Sequence, residues 1–106
     1  MKYLGLFSIL ILLVGCESTP SFCELSPDSD LCNAKTYNPA TQQALKDFEL
    51  REKYKAFALA QTADGWEFFG YAEGYRSPQK AQKAALEQCQ KRVDKHETPG
   101  KCELIR

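Results

Sequence analysis

The stretch that decides the fold is Tyr54-Lys-Ala-Phe-Ala-Leu-Ala-Gln-Thr-Ala-Asp-Gly-Trp-Glu-Phe-Phe-Gly-Tyr-Ala72. In its first half Phe57 and Leu59 alternate with alanines, which is typical of a strand with one bulky and one small face. Asp64-Gly65 supplies a positive-φ turn of the kind that joins hairpin strands, and the aromatic second half is strand-prone. Gly70 marks a bulge or the close approach of another backbone. The stretch therefore predicts a β-hairpin.

Downstream of the hairpin, the sequence predicts one long helix and a third strand. Ser77 is a favourable N-cap residue and Pro78 suits the first helical position, so we expect a helix from here to about His96. The segment 101–106 alternates again and predicts a strand with Cys102 facing inward. The side of the long helix that should face the core carries Ala85, Leu86, Cys89 and Val93.

Upstream, a shorter amphipathic helix should precede the hairpin. Pro39 suits a first helical position, and residues 40–54 are good helix formers with an apolar stripe that includes Leu45 and Phe48. A right-handed crossover after the hairpin gives the strand order 2-1-3, with the long helix on one face of the sheet and the short helix covering the other. The predicted fold class is α+β, a small β-hairpin–helix–strand (ββαβ) domain with a three-stranded sheet.

The sequence divides the chain into three parts. Residues 1–15 are typical of a signal peptide, with a positive charge at Lys2 and an uncharged apolar run from Tyr3 to Val14. This run is too short for a helix that spans a bilayer, which takes about 20 apolar residues. Residues 16–38 are rich in Ser, Pro, Asp and Asn, and they predict a disordered tether with a disulfide loop. Residues 39–106 form the small α+β domain, including its N-terminal helix.

The signal segment ends in Leu13-Val14-Gly15-Cys16, which resembles the lipobox of bacterial lipoproteins at all four positions. The resemblance implies that Cys16 receives a diacylglycerol, becomes the first residue of the mature chain and anchors the protein to a membrane. Each buried CH₂ contributes about 0.8 kcal/mol, and more than one acyl chain makes such an anchor stable. Glu17, rather than Asp, implies the outer membrane with the domain facing the periplasm. An ordinary cysteine after a cleaved signal is the alternative.

The remaining cysteines predict the covalent framework of the domain. Of five cysteines, four are left after the lipidated one, and an even number in an oxidising compartment indicates two disulfides. Three pairings are open, and we favour the local ones, Cys23 with Cys32 and Cys89 with Cys102. A metal site and free thiols are the alternatives. No Cys-x-x-Cys spacing supports zinc, and His96 is the only histidine.

Charge and motifs argue against several classes of function. The formal net charge is +0, with acidic residues concentrated in residues 16–34 and basic ones from Arg76 onward, which does not favour a nucleic-acid partner. Glu67 and Glu73 could form an acid/base pair, but we expect both to face solvent as strand residues. The sequence has no phosphate-binding glycine loop, nucleophile elbow or metal motif. It therefore predicts no enzyme, no catalytic residue, no cofactor and no small-molecule substrate.

The aromatic residues of the hairpin are dense for so short a segment. A strand places successive side chains on opposite faces, so these aromatics occupy both faces of the sheet, and packing in the core is the interpretation that we favour. The alternative is an exposed binding surface beside the basic helix, formed where the N-terminal helix does not cover the aromatics. The candidate binding surface consists of Trp66, Phe69, Tyr71, Tyr75, Arg76, Lys80, Lys83 and Lys91.

Four motifs in the second half of the chain carry a resemblance. They are Tyr54-Lys-Ala-Phe-Ala-Leu-Ala, Gly65-Trp66, Gly70-Tyr-Ala, and Ala84-Ala-Leu-Glu-Gln-Cys89 followed by Lys101-Cys102. Together they are similar to a group of short secreted bacterial domains of unknown function. The resemblance implies the fold and a disulfide but no activity, and the chain departs from the group in its longer, charged segment 91–97.

Three functions fit these patterns. The leading hypothesis is a non-enzymatic lipoprotein that presents a disulfide-bonded module to a protein partner in the cell envelope. The second is a module that binds an envelope polymer, peptidoglycan or lipopolysaccharide, through the basic helix and the aromatic hairpin. The third is a small hydrolase or inhibitor. Binding to isolated cell-wall sacculi would separate the first two.

Overall fold

The computed structural model describes residues 20–106, so the predicted signal peptide and Cys16 lie outside the described residues. The fold is α+β, as the sequence predicts. Two short 3₁₀ turns, at Asp30–Cys32 and Ala34–Thr36, lie between the first two helices. The helices and strands, in chain order, are α1 Phe22–Leu25, α2 Pro39–Glu49, β1 Ala56–Gln61, β2 Glu67–Ala72, α3 Pro78–Asp94 and β3 Glu103–Leu104.

The three strands form one antiparallel sheet in the order β2-β1-β3, which confirms the predicted order. In the hairpin turn, the Gly65 amide donates to the Thr62 carbonyl at 3.0 Å and the Thr62 amide donates to the Trp66 carbonyl at 2.9 Å. Gly65 has a φ of 89°, in the left-handed region that glycine adopts without steric cost. This is the turn that Asp64-Gly65 predicted.

The small face of the sheet packs against α3, as the alternating alanines of β1 indicate. Small side chains let the helix backbone come close to the strands, and Gly70 is the position of closest approach. A Cβ at Gly70 would lie 2.5 Å from the Cys89 backbone nitrogen and 2.6 Å from the Ala85 carbonyl oxygen. The prediction of a close approach at this glycine is confirmed. The buried residues of this first core are Ala56, Ala58, Ala60, Ala72, Ala81, Ala85, Cys89, Val93, Cys102 and Leu104.

The bulky face of the sheet is covered by α2, which confirms the role predicted for the N-terminal helix. Phe57 is buried, and its ring meets the ring of Phe48 edge to face at 5.4 Å between centroids. Helix α2 is shorter than predicted, because it ends at Glu49 rather than near Tyr54. Tyr54 instead exchanges two backbone hydrogen bonds of 3.2 Å with Tyr75 and extends the base of the hairpin.

The described part of the predicted tether, residues 20–38, differs from the prediction because it is packed on the domain. Tyr37 is buried in the second core, the cluster on the bulky face of the sheet, where Leu31 also packs. The buried residues of this second core are Tyr37, Leu45, Phe48, Phe57, Leu59 and Ile105. The Tyr37 hydroxyl donates to the Leu31 carbonyl, and burial raises the pKa of Tyr37. Ser21 caps α1 by accepting a hydrogen bond from the Glu24 amide at 3.2 Å. These contacts hold residues 20–38 against the domain.

Both disulfides are present, and the pairing is the local one that the sequence favoured. Cys23 is bonded to Cys32 with 5.6 Å between their Cα atoms, and this bond closes the loop between α1 and the first 3₁₀ turn. Cys89 of α3 is bonded to Cys102 with 6.1 Å between Cα atoms. The second bond fastens the buried side of the long helix to the start of the last strand.

The last two elements are shorter than predicted. Helix α3 ends at Asp94 instead of His96, whose amide donates to the Val93 carbonyl at 2.9 Å in a closing turn. Regular pairing of β3 is limited to Glu103–Leu104. Backbone hydrogen bonds between Phe57 and the last two residues nevertheless hold the C-terminal segment against β1.

Candidate interaction surface

Two members of the predicted binding surface belong to the core instead. The rings of Phe69 and Tyr71 stack on the buried Phe57, at 5.5 and 6.2 Å between centroids. Both are half-buried and pack against the second core. Their side chains point to the α2 side of the sheet because positions 57, 69 and 71 share that face. The prediction of a free surface at these two positions is therefore wrong.

Trp66 lies at the turn end of the hairpin, where 58% of its surface is exposed. Its ring stacks on Phe68 at 6.3 Å and meets the His96 ring at 5.5 Å between centroids. Asp64 fastens this corner, since its Oδ2 lies 2.9 Å from His96 Nε2 and accepts a hydrogen bond from Thr98 Oγ1 at 3.0 Å. The corner joins the hairpin turn to the segment that follows α3.

The Asp64 contacts predict a dependence of stability on pH. Hydrogen bonds, first from the Thr62 hydroxyl and then from His96 and Thr98, lower the pKa of Asp64 from 3.8 to about 2. Because the folded-state pKa is depressed, the ionised carboxylate contributes stability above about pH 4, and this contribution is lost as the pH falls toward 2. We expect Asp64→Asn to lower the urea midpoint at pH 6 and to flatten its decline between pH 4 and 2. Midpoints measured at pH 6, 4, 3 and 2 test this, and parallel curves for the two proteins would contradict it.

The opposite end of the hairpin carries an exposed apolar surface on a fixed backbone. Among residues 20–106, three of the five exposed large apolar side chains belong to the two segments, 50–54 and 73–76, that meet here: Leu50, 87% exposed, Tyr54, 45%, and Tyr75, 42%. The Tyr54–Tyr75 backbone pair and an ion pair of 3.4 Å between Arg51 and Glu73 join the two chain segments. We call Leu50, Tyr54, Tyr75 and the exposed Arg76 the Tyr75 face.

The sequence predicted only half of the Tyr75 face. Tyr75 and Arg76 were part of the candidate surface, whereas Leu50 and Tyr54 were assigned to the predicted helix of residues 40–54. A signal for Leu50 exists, because it falls off the stripe that Leu45 and Phe48 form. For Tyr54, no local pattern indicates that the helix ends early.

A basic groove runs beside the Tyr75 face along α3. It is about 430 Å³ in volume, and Tyr75, Lys91, Arg92 and Lys95 contribute to its walls. Arg92 also donates to the Phe69 carbonyl at 2.8 Å and lies over the Phe69 ring at 5.5 Å. The structure therefore brings Lys91 and Tyr75 together, as the candidate surface requires.

Two other basic members of the candidate surface lie elsewhere on α3. Lys80 and Lys83 are exposed near the start of the helix, and Lys83 approaches Glu87 at 4.0 Å. Neither lines the basic groove. The eight predicted residues thus do not form one surface, and Trp66 is separated from Tyr75 by the length of β2.

The two carboxylates considered as an acid/base pair are at different ends of β2. Glu67 accepts hydrogen bonds of 2.8 Å from the Asn38 amide and from Gln61 Nε2. Glu73 pairs with Arg51. Each carboxylate therefore fastens neighbouring segments, and the two do not converge on a common reacting atom. Within residues 20–106, no group of three or more His, Cys, Asp and Glu side chains is arranged to hold a metal ion.

Comparisons with protein-family models, curated proteins and solved structures find no match to this chain. In the described part of the chain, no helix has the length and apolar character needed to cross a membrane.

Proposed function

We propose that this chain is a lipid-anchored cell-envelope protein whose domain binds a protein partner through the Tyr75 face and catalyses no reaction. The observation that carries the proposal is the exposure of Leu50, Tyr54 and Tyr75 on two segments that meet at the base of the hairpin. The proposed location is the outer membrane, on the periplasmic side. Cys16 is the proposed site of lipidation.

The chemistry of the Tyr75 face favours a protein partner. Tyrosine and arginine are enriched at protein interfaces and among the residues that dominate binding energy. Two aromatic rings and Leu50 offer apolar contact, and Arg51, Glu73 and Arg76 surround them with charge. Because hydrogen bonds already fix the backbone at Tyr54 and Tyr75, binding there costs side-chain entropy without an added cost for ordering the backbone.

The anchoring part of the proposal is supported by the lipobox-like Leu13-Val14-Gly15-Cys16 and by the two disulfides. Disulfides form and persist in oxidising compartments such as the periplasm and are rare in the cytosol. Two disulfides and a lipid-modified N-terminus are both expected of a protein that is exported to the periplasm.

The first test concerns the anchor. We expect the native mature chain to start at Cys16, to carry the mass of attached acyl groups and to sediment with membranes. Cys16→Ala should abolish acylation and move the protein out of the membrane fraction. Intact-mass spectrometry and fractionation measure both effects, and a native chain with an unmodified Cys16 would disprove the anchor.

The second test concerns the partner face. A photoreactive amino acid at Tyr75 should crosslink to a specific envelope protein in intact cells, whereas the same group at Lys35 should not. Adding Leu50→Glu should weaken the captured interaction by about 30-fold, the effect of losing a dominant apolar contact of about 2 kcal/mol. Lys35→Glu, which places a glutamate at the exposed position already used as the negative crosslinking site, is the control. Equal crosslinking from both sites would count against the Tyr75 face.

The basic groove favours a second candidate, binding of an anionic envelope polymer. Lys91, Arg92 and Lys95 line the same groove as Tyr75, together with one carboxylate, Glu87, and this excess of positive charge suits an anionic glycan. This candidate predicts that the protein pellets with isolated sacculi or lipopolysaccharide at low salt and is released at high salt. Charge reversal at Lys91 should abolish the pelleting, and charge reversal at Lys80, outside the groove, should not. A protein that stays in solution would exclude this candidate.

A further inference from the structure

An apolar surface lies on the side of the domain where the described chain begins. Helix α1, β3 and α3 border a groove of about 340 Å³ whose apolar wall is formed by Pro20, Phe22, Leu25, Leu86 and Leu104. Leu25 is 69% exposed at the rim of this groove. A second groove of about 330 Å³ shares Leu86 and Leu104 and continues the surface along α3. We call these five residues the Leu25 face.

The position of the anchor fixes which side of the domain is nearest the membrane. Pro20 lines the groove, and Cys16 precedes it by only four residues. Four fully extended residues span at most about 14 Å. Helix α1 cannot drift away from the domain to lengthen this link, because the Cys23–Cys32 disulfide and the packing of α1 against β3 hold it. A lipid on Cys16 therefore lies close to the Leu25 face.

We propose that the Leu25 face rests on the surface of a phospholipid bilayer and orients the domain there. The proposal relies on the lipidation of Cys16 proposed above. The face has the composition of an interfacial contact, with apolar side chains at its centre and polar groups at its margin. Contact with the bilayer would remove the apolar side chains of Leu25 and Phe22 from water, which is favourable.

The charges around the Leu25 face indicate whether its membrane contact requires anionic lipid headgroups. Lys83 lies 4.0 Å from Glu87, and Lys101 lies 3.4 Å from Glu103, so these basic groups are balanced by carboxylates, and α1 adds the exposed carboxylate of Glu24. A margin without excess positive charge gives little attraction to anionic headgroups, in contrast to a polybasic patch. Docking should therefore occur on zwitterionic lipid and change little with salt.

The proposed orientation separates the two surfaces of the domain. The Leu25 face includes β3, which is one edge of the sheet, whereas the Tyr75 face follows β2, which is the other edge. With β3 toward the lipid, the Tyr75 face is directed away from the membrane. The anchor would then present the partner face to the periplasm without a long flexible tether.

The test uses the full mature chain, purified with its lipid and reconstituted in nanodiscs of phosphatidylcholine. A small fraction of lipid carries a nitroxide at the headgroup, and amide signals are compared by NMR with and without reduction of the nitroxide. We expect the strongest attenuation at Phe22, Leu25 and Leu104, and the weakest at Tyr75. Leu25→Glu should abolish this pattern, while Leu50→Glu, an equally polar change at the other end, should preserve it.

Three results would overturn the proposal. They are uniform attenuation over the domain, strongest attenuation at the Tyr75 face, and an unchanged pattern in Leu25→Glu. Intact mass, measured on the same sample, tests the anchor separately from the orientation. An unacylated Cys16 would disprove both the proposed anchor and this orientation. An acylated chain without the expected attenuation pattern would disprove the orientation alone.

Discussion

Replacing Gly70 with alanine should lower the free energy of unfolding by about 3 kcal/mol, the upper part of the range for overpacked cores. The added Cβ would lie 2.5 Å from the Cys89 nitrogen and 2.6 Å from the Ala85 carbonyl oxygen. Both atoms belong to the backbone of α3, so neither can rotate away as a side chain would. The helix itself must move off the sheet. Alanine's better strand propensity, about 0.5–1 kcal/mol, does not offset this.

Gly100→Ala is the matched control for this substitution. Its Cβ would meet Thr62 Cγ2 at 3.0 Å and Val93 Cγ1 at 3.4 Å, which are side-chain methyl groups that can shift. We expect a change within about 1 kcal/mol at this position. Urea unfolding of both variants measures the difference. An equal loss of unfolding free energy in the two would show that the close approach of the α3 backbone does not make Gly70 especially sensitive to an added Cβ.

Removing the Cys89–Cys102 disulfide by a double replacement with alanine should cost about 4–5 kcal/mol. The chain-entropy contribution of a bond with a sequence separation of 13 is about 3 kcal/mol. Both sulfur atoms also belong to the first core, and their loss leaves a cavity between α3 and the sheet. The domain should therefore be near its stability limit without this bond.

The second disulfide provides an internal comparison. Cys23–Cys32 has a sequence separation of 9, and its chain-entropy contribution is nearly the same, about 2.7 kcal/mol. Its cysteines are only half-buried, so their replacement adds little packing loss. We expect a cost of about 2–3 kcal/mol for the alanine pair here. Thermal and urea unfolding of the two double variants tests the ranking, and equal losses would show that burial of Cys89 and Cys102 adds nothing.

The parts of the fold that the sequence predicted are those with local signals. Alternation around Phe57 and Leu59 predicted β1, Gly65 predicted the turn, and Ser77 with Pro78 predicted the start of α3. The packing of residues 20–38 has no such periodic signal. It depends on capping by Ser21, on a disulfide and on Tyr37, whose burial is decided by distant parts of the chain.

The candidate surface was predicted less well than the fold, for a geometric reason. Trp66 and Tyr75 are close in sequence and were grouped together, but a strand rises about 3.3 Å per residue. The six residues of β2 therefore place the two aromatics about 20 Å apart. Side chains at alternating positions also divide between the two faces, which sends Phe69 and Tyr71 into the core.

The outer edge of β2 has a consequence for self-association through the backbone. Gln88 Oε1 accepts a hydrogen bond of 2.7 Å from the Tyr71 amide, and Arg92 donates to the Phe69 carbonyl at 2.8 Å. Both backbone groups would otherwise be available to a strand from a neighbouring molecule, the usual route to edge-to-edge aggregation. By occupying these two groups, side chains of α3 leave less of this edge free to pair with a strand of a second copy.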